Sequence, residues 1–170
     1  AETFVLLKND RQLLPLSKQG KIALIGPLAD TRSNMSGTWS VAATPDRYSS
    51  LRESMEKALD GKATLLYAQG CNVVYDEQEQ KDGELGKTIA RGDDAQMEAE
   101  ALEVARQADV IVCDMGETAD MSGECASRTD LRMPDTQRHL LAQLARTGKP
   151  IVLLNFSGRP TVLTWEQEHL

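Results

Sequence analysis

The stretch MGETADMSGECASRTDLRMP, residues 115–134, holds the carboxylates Glu117, Asp120, Glu124 and Asp130, with Arg128 and Arg132 among them. Such a run can be a solvated surface, an oxygen-ligand set for a hard cation, or half of an acid/base machine. Asp114, Glu117, Asp120 and Glu124 could offer oxygens to magnesium, but no histidine assists. No metal or cofactor is expected. Carbohydrate chemistry suits these residues better. Glycoside hydrolysis needs two carboxyl groups flanking the scissile bond, one of them protonated. A glutamate is half protonated near pH ~4.3 in water, so it must be shifted upward to act as an acid at neutral pH. Sugars also pack on aromatic faces. Trp39, in NMSGTWS (34–40), lies among Gly, Ser and Thr and off any apolar periodic face. It either pins its own loop to the body or forms a sugar platform at a crevice rim.

Other chemistries find less support. The first turn, GPLADTRSNMSG, has neither of the glycine patterns that cradle phosphate. NFSGRP is a poor substitute for a serine-hydrolase elbow. Cys71, Cys113 and Cys125 form neither a disulfide framework nor a metal-binding pair. Cys113 lies within an apolar run and reads as a small buried hydrophobe. Cys125 neighbours Glu124, but the histidines, His139 and His169, give it no evident base.

These residues need elements to hold them, and periodicity supplies an alternating series. KIALIG (21–26), ATLLYAQG (63–70), DVIVCDMG (109–116) and PIVLLNFSG (150–158) read as strands. The third is apolar on successive residues, as in a strand covered on both faces. SSLRESMEKAL (49–59) spaces Leu51, Met55 and Leu59 along one helical face. Met97, Ala101, Val104, Ala105 and Ala108 stripe a helix at 95–108, and Leu140, Leu141 and Leu144 one at 135–148, with Gly148 as its stop. Four β/α repeats imply a doubly wound parallel sheet. Helix-to-strand links are tight, whereas the strand-to-helix segments 27–48, 71–94 and 115–134 are long. Compact units need only ~2–6 residues there. All three long segments leave the carboxyl ends of strands, the edge where open α/β sheets place ligands. The Trp39 loop and the acidic loop should therefore rim one crevice.

Composition sets the outer bounds. The 170 residues suit one domain, with 41% hydrophobic and 26% charged residues. A net charge of −7 argues against nucleic acid or an anionic membrane as partner. No run approaches the ~20 apolar residues of a membrane span. The amino terminus, AETFVLLKND, carries no visible signal peptide.

Five segments, in order, then resemble the second, α/β-sandwich domain of glycoside hydrolase family 3, the β-glucosidase and β-xylosidase family. They are VLLKNDRQLLPL (5–16), KIALIGPLAD (21–30), MSGTWS (35–40), YAQGC (67–71) and the GE…SGECASRTDLRMPDTQ series that begins at Gly116. The resemblance is nearest to bacterial, often periplasmic, β-glucosidases. It implies a three-layer α/β/α sandwich with a mostly parallel sheet, residues 1–170 being a single domain of a larger glycosidase whose catalytic barrel is absent. The chain ends at TWEQEHL, before the family's closing PG…G segment, so a sandwich truncated at its C-terminus is expected. After GTWS it reads VAATPD, where relatives more often carry a glycine.

By this resemblance Glu124 is the general acid/base of a retaining β-glucosidase, with Glu117 the competing candidate. Trp39 is the aromatic of the leaving-group subsite. Arg128 and Glu117 are secondary candidates for substrate contact. Arg128 either pairs with a carboxylate and fixes the loop or makes a plain surface salt bridge, and Glu117 fits a structural hydrogen-bonding role. The implied partners are an N-terminal (β/α) barrel carrying an aspartate nucleophile, and a β-linked oligosaccharide or aryl glucoside. The implied location is the periplasm or the exterior, and the isolated domain should be inactive. A non-catalytic sugar-binding or bracing module of a multidomain glycosidase is the alternative.

Overall fold

The computed structural model describes residues 4–40, 42, 44–83 and 88–170. Val41 and Ala43, in the VAATPD stretch, and residues 84–87 of the 71–94 segment lie outside the described residues.

Four short strands form the sheet: β1 (Lys21–Ile25), β2 (Thr64–Ala68), β3 (Val110–Gly116) and β4 (Ile151–Phe156). Their order is β2-β1-β3-β4 and every pairing is parallel, with Ile22 opposite Leu65 and Val110, and Val112 opposite Val152. β1 and β3 are central, and the runs Ile22–Ile25 and Ile111–Gly116 are buried without interruption. That is why they read as continuous apolar runs and not as alternating ones.

Helices cover both faces. Helix α1 (Leu51–Leu59) begins on Ser50, whose side chain accepts from Glu53 N while the Glu53 carboxylate accepts from Ser50 N. This reciprocal box satisfies two backbone donors that the first helical turn would leave unpaired. α1 lays Leu51, Met55 and Leu59 on Ile22, Leu24 and Val112, and Leu13, Leu14 and Leu16 pack on the same cluster. On the opposite face α3 (Asp94–Gln107) and α4 (Asp135–Ala145) bury Ala101, Ala105, Leu140, Leu141 and Leu144 against Ala23, Ile25, Ile111 and Cys113. The result is the expected three-layer α/β/α sandwich.

The differences from the sequence reading are local. A short helix, α2 (Glu77–Asp82), lies inside the segment read as loop, with Asp76 capping Gln78 N and Glu79 N. It is polar nearly all round, so no apolar stripe announces it. α4 stops at Ala145, three residues before Gly148. A last helix, α5 (Thr164–His169), packs Trp165 on the α3/α4 side of the core and stacks it on His169. Among the described residues no helix is long and apolar enough to cross a membrane.

Candidate active site

Strand order decides where a site can form. From β1 the chain goes to β2 on one side, and from β2 it returns past β1 to β3 on the other. The switch point therefore lies between the carboxyl ends of β1 and β3, where the two departing loops leave a crevice. Those are the Trp39 loop and the acidic loop. A third small core supports them from below: Leu28, Val73, Val74 and Ile89, joined by Met121 and Phe156. The amino end of α4 adds a polar staple. The fully buried Gln137 accepts from Gly116 N (2.7 Å) and donates to the carbonyls of Gly116 (2.9 Å) and Val73 (3.2 Å).

Glu117, first residue after β3, is buried, and both its carboxylate oxygens are held by protein groups. Arg128 Nη1 donates to Oε1 at 3.1 Å. Arg159 Nε and Ser157 Oγ donate to Oε2 at 3.3 Å and 2.9 Å. The Glu117 side chain is 1% exposed and the two arginines 23% and 20%, so these are interior charges compensated by two cations. Removing one partner of such a set costs far more than breaking an exposed pair. Arg128 Nη2 also reaches Arg132 O at 3.5 Å, so the guanidinium joins Glu117 to the backbone of the acidic loop. Arg132 itself grips Asp130, holding that carboxyl well below its usual range. Asp120 is half-buried, with its carboxylate against Gly83.

Glu124 stands apart from this network. It is exposed and makes no ion pair or hydrogen bond among the described residues. Its loop turns sharply, with Gly123 at φ +107° and Cys125 at φ +60°. Gly123 faces the Trp39 loop so closely that a Cβ there would lie 3.0 Å from Thr38 Cγ2 and 3.5 Å from Trp39 Nε1. Three hydrogen bonds also join the loops. The Thr38 hydroxyl reaches the carbonyls of Ala119 and Ser122, the latter at 3.0 Å, and Asn34 Oδ1 accepts from Ala119 N at 2.6 Å. Trp39 is 69% exposed. Acid candidate and aromatic therefore share one open rim. A cavity of about 750 Å³ beside α3 and one of about 380 Å³ between α2 and the acidic loop are both lined without Glu124 or Trp39.

The magnesium arrangement is not assembled. Asp114 is buried within β3, Glu117 is taken by arginines and Glu124 is out on the rim. Among the described residues no group of three or more His, Cys, Asp or Glu side chains converges as a metal would require. Cys71 and Cys113 are buried thiols pushed up by burial, while Cys125 is exposed.

Comparison with known proteins decides the family. Residues 4–170 match the glycosyl hydrolase family 3 C-terminal domain. The chain belongs to glycosyl hydrolase family 3, as a C-terminal domain. It is 38% identical to a periplasmic β-glucosidase of Salmonella typhimurium over 98% of the chain and 22% of that relative. It is 31% identical to thermostable β-glucosidase B of Acetivibrio thermocellus over 97% of the chain and 20% of that relative. Among solved structures, the β-glucosidase of Listeria innocua in complex with isofagomine superposes with a TM-score of 0.75 at 27% identity, over 97% of this chain and 20% of that one. The chain thus spans about a fifth of the length of these relatives.

Within this family 3 domain, several residues that organise the rim were not found from sequence. Arg159 and Ser157 lie in NFSGRP, a stretch considered only as a hydrolase elbow. They follow β4 at the same sheet edge as the other loops, and that position was the available signal. Thr38 and Asn34 gave none, because their partners are backbone groups more than eighty residues away.

Proposed function

We propose that this domain supplies the general acid/base of a retaining β-glucosidase, Glu124, together with an aromatic surface, Trp39, for the leaving-group sugar. One observation carries the reading. Glu124 is an exposed carboxylate without a protein partner among the described residues, held beside an exposed tryptophan by two loops pinned to each other. A carboxylate kept free at a built rim is available to a substrate, whereas Glu117 is consumed by Arg128, Arg159 and Ser157. Glu117 and Arg128 accordingly hold the loop and do not touch sugar.

The rim is open, so the other half of the pocket comes from a partner domain. We assign that half to an N-terminal (β/α) barrel bearing the nucleophilic aspartate; family relatives about five times longer leave room for such a domain. The exposed run Phe4, Val5, Leu6 and Leu7, 67–77% accessible, suits an interface with such a domain. Two carboxyl groups ~5–5.5 Å apart across the joint would share protons so that one stays protonated and can donate. The relative named a periplasmic β-glucosidase supports the same compartment for the whole protein.

The test uses the full-length polypeptide that carries this domain. Glu124→Ala should slow hydrolysis of alkyl β-glucosides by ~10²–10⁴-fold, the usual contribution of a general acid. It should leave dinitrophenyl glucosides far less affected, and azide should rescue it. Equal losses for all leaving groups would identify a brace and overturn the assignment.

A further inference from the structure

We infer that Arg159 is a positioning residue for the acid/base carboxylate, acting through the backbone of its loop; this rests on the reading of Glu124 given above. Arg159 follows β4 and reaches the backbone of the acidic loop. Its Nη2 donates to two carbonyls, Met121 O and Ala126 O, the latter at 2.7 Å. Those two carbonyls bracket the four residues Ser122–Cys125, and Glu124 is one of them. The same guanidinium turns its Nε to Glu117 Oε2 at 3.3 Å. Ser157 Oγ, itself on Glu117, accepts from Arg159 N at 3.2 Å and holds the arginine's own backbone.

The geometry explains why an arginine is needed. The loop between Met121 and Ala126 reverses on Gly123 and Cys125, both at positive φ, and Ala126 N returns to Gly123 O at 3.4 Å. Such a reversal turns carbonyls inward, where they need donors. The planar guanidinium offers several N–H groups in fixed directions and can serve both ends of the turn and the Glu117 carboxylate together. A lysine keeps the charge but cannot span all three. Thr38 grips two further carbonyls of the same loop, Ala119 O and Ser122 O. The backbone that carries Glu124 is thus clamped by two side chains while its own carboxylate touches neither.

Loss of Arg159 should change where the proton donor points and leave the donor itself intact. Misplacement by ~1 Å can cost ~100-fold when a reacting group must be in register. In the full-length enzyme, Arg159→Lys should therefore lower kcat/KM for alkyl β-glucosides by ~100-fold and for dinitrophenyl glucoside by only a few-fold. Combined with Glu124→Ala it should add nothing, because both substitutions remove one function. Hydrogen exchange at residues 122–126 should rise. Arg159→Gln, which retains amide donors without the charge, is the second variant if the lysine form does not fold. Losses that are equal across leaving groups, or that multiply with Glu124→Ala, would overturn the inference while leaving Glu124 as the acid. If Glu124→Ala itself shows no leaving-group dependence, the acid/base reading falls and this inference with it.

Discussion

Asp114 offers the sharpest test of the physics of this fold. It is the fifth residue of β3, opposite Leu154, on the face shared with Val110 and Val112. It is 1% exposed, and its Oδ1 has no hydrogen-bond partner among the described residues. Burial alone pushes its carboxyl up to about 8. The unfolded chain should titrate near ~3.9, so between the two values the native state binds one proton more than the unfolded state. Its contribution to stability is then full below about pH 4, falls as pH rises toward about 8, and is flat beyond. The slope is ~1.4 kcal/mol per pH unit, which sets a ceiling of ~4 kcal/mol lost between about pH 4 and pH 7. Asp114→Asn has nearly the same shape as the protonated acid and does not titrate. Its fixed cost or gain is the same at every pH, so the difference between variant and parent isolates the carboxyl. Urea unfolding of both chains at pH 5 and at pH 8 measures it. The variant should gain on the parent by several kcal/mol across that interval. Parallel pH profiles would show that Asp114 is ionised in the native state and that the burial argument is wrong.

Two further outcomes follow from local geometry. Ser50→Ala removes the capping box of α1 and should cost ~1 kcal/mol in urea unfolding, with m unchanged because the surface buried on folding is the same. Gly123→Ala places a Cβ 3.0 Å from Thr38 Cγ2 at φ +107°. It should cost ~1–3 kcal/mol in strain and, in the full-length enzyme, slow poor leaving groups more than activated ones.

Much of the frame was legible because it depends on neighbours in sequence. Continuous apolar runs announced strands buried on both faces, and Leu51, Met55 and Leu59 marked the inner face of α1. Tight returns and long departures located the functional edge. Where no apolar periodicity exists the reading failed, as in α2, whose residues are almost all polar and whose start is a single aspartate cap. By composition and spacing the carboxylates were legible only as a group, and it was the family resemblance that singled out Glu124. Composition could not say that Glu117 goes inside and Glu124 stays out, since both sit among small residues of one loop.

What the sequence by itself determined is the alternation of elements, the three-layer class and the family, because hydrophobic period and motif order are written along the chain. Only the tertiary structure decided the strand order β2-β1-β3-β4, and with it the switch point that brings residues 34–40 against residues 119–123. It also decided that Arg159 spans a turn more than thirty residues before it. The reason is physical: a backbone carbonyl accepts a hydrogen bond whatever its side chain, so contacts of that kind leave no trace in residue type until the chain has folded.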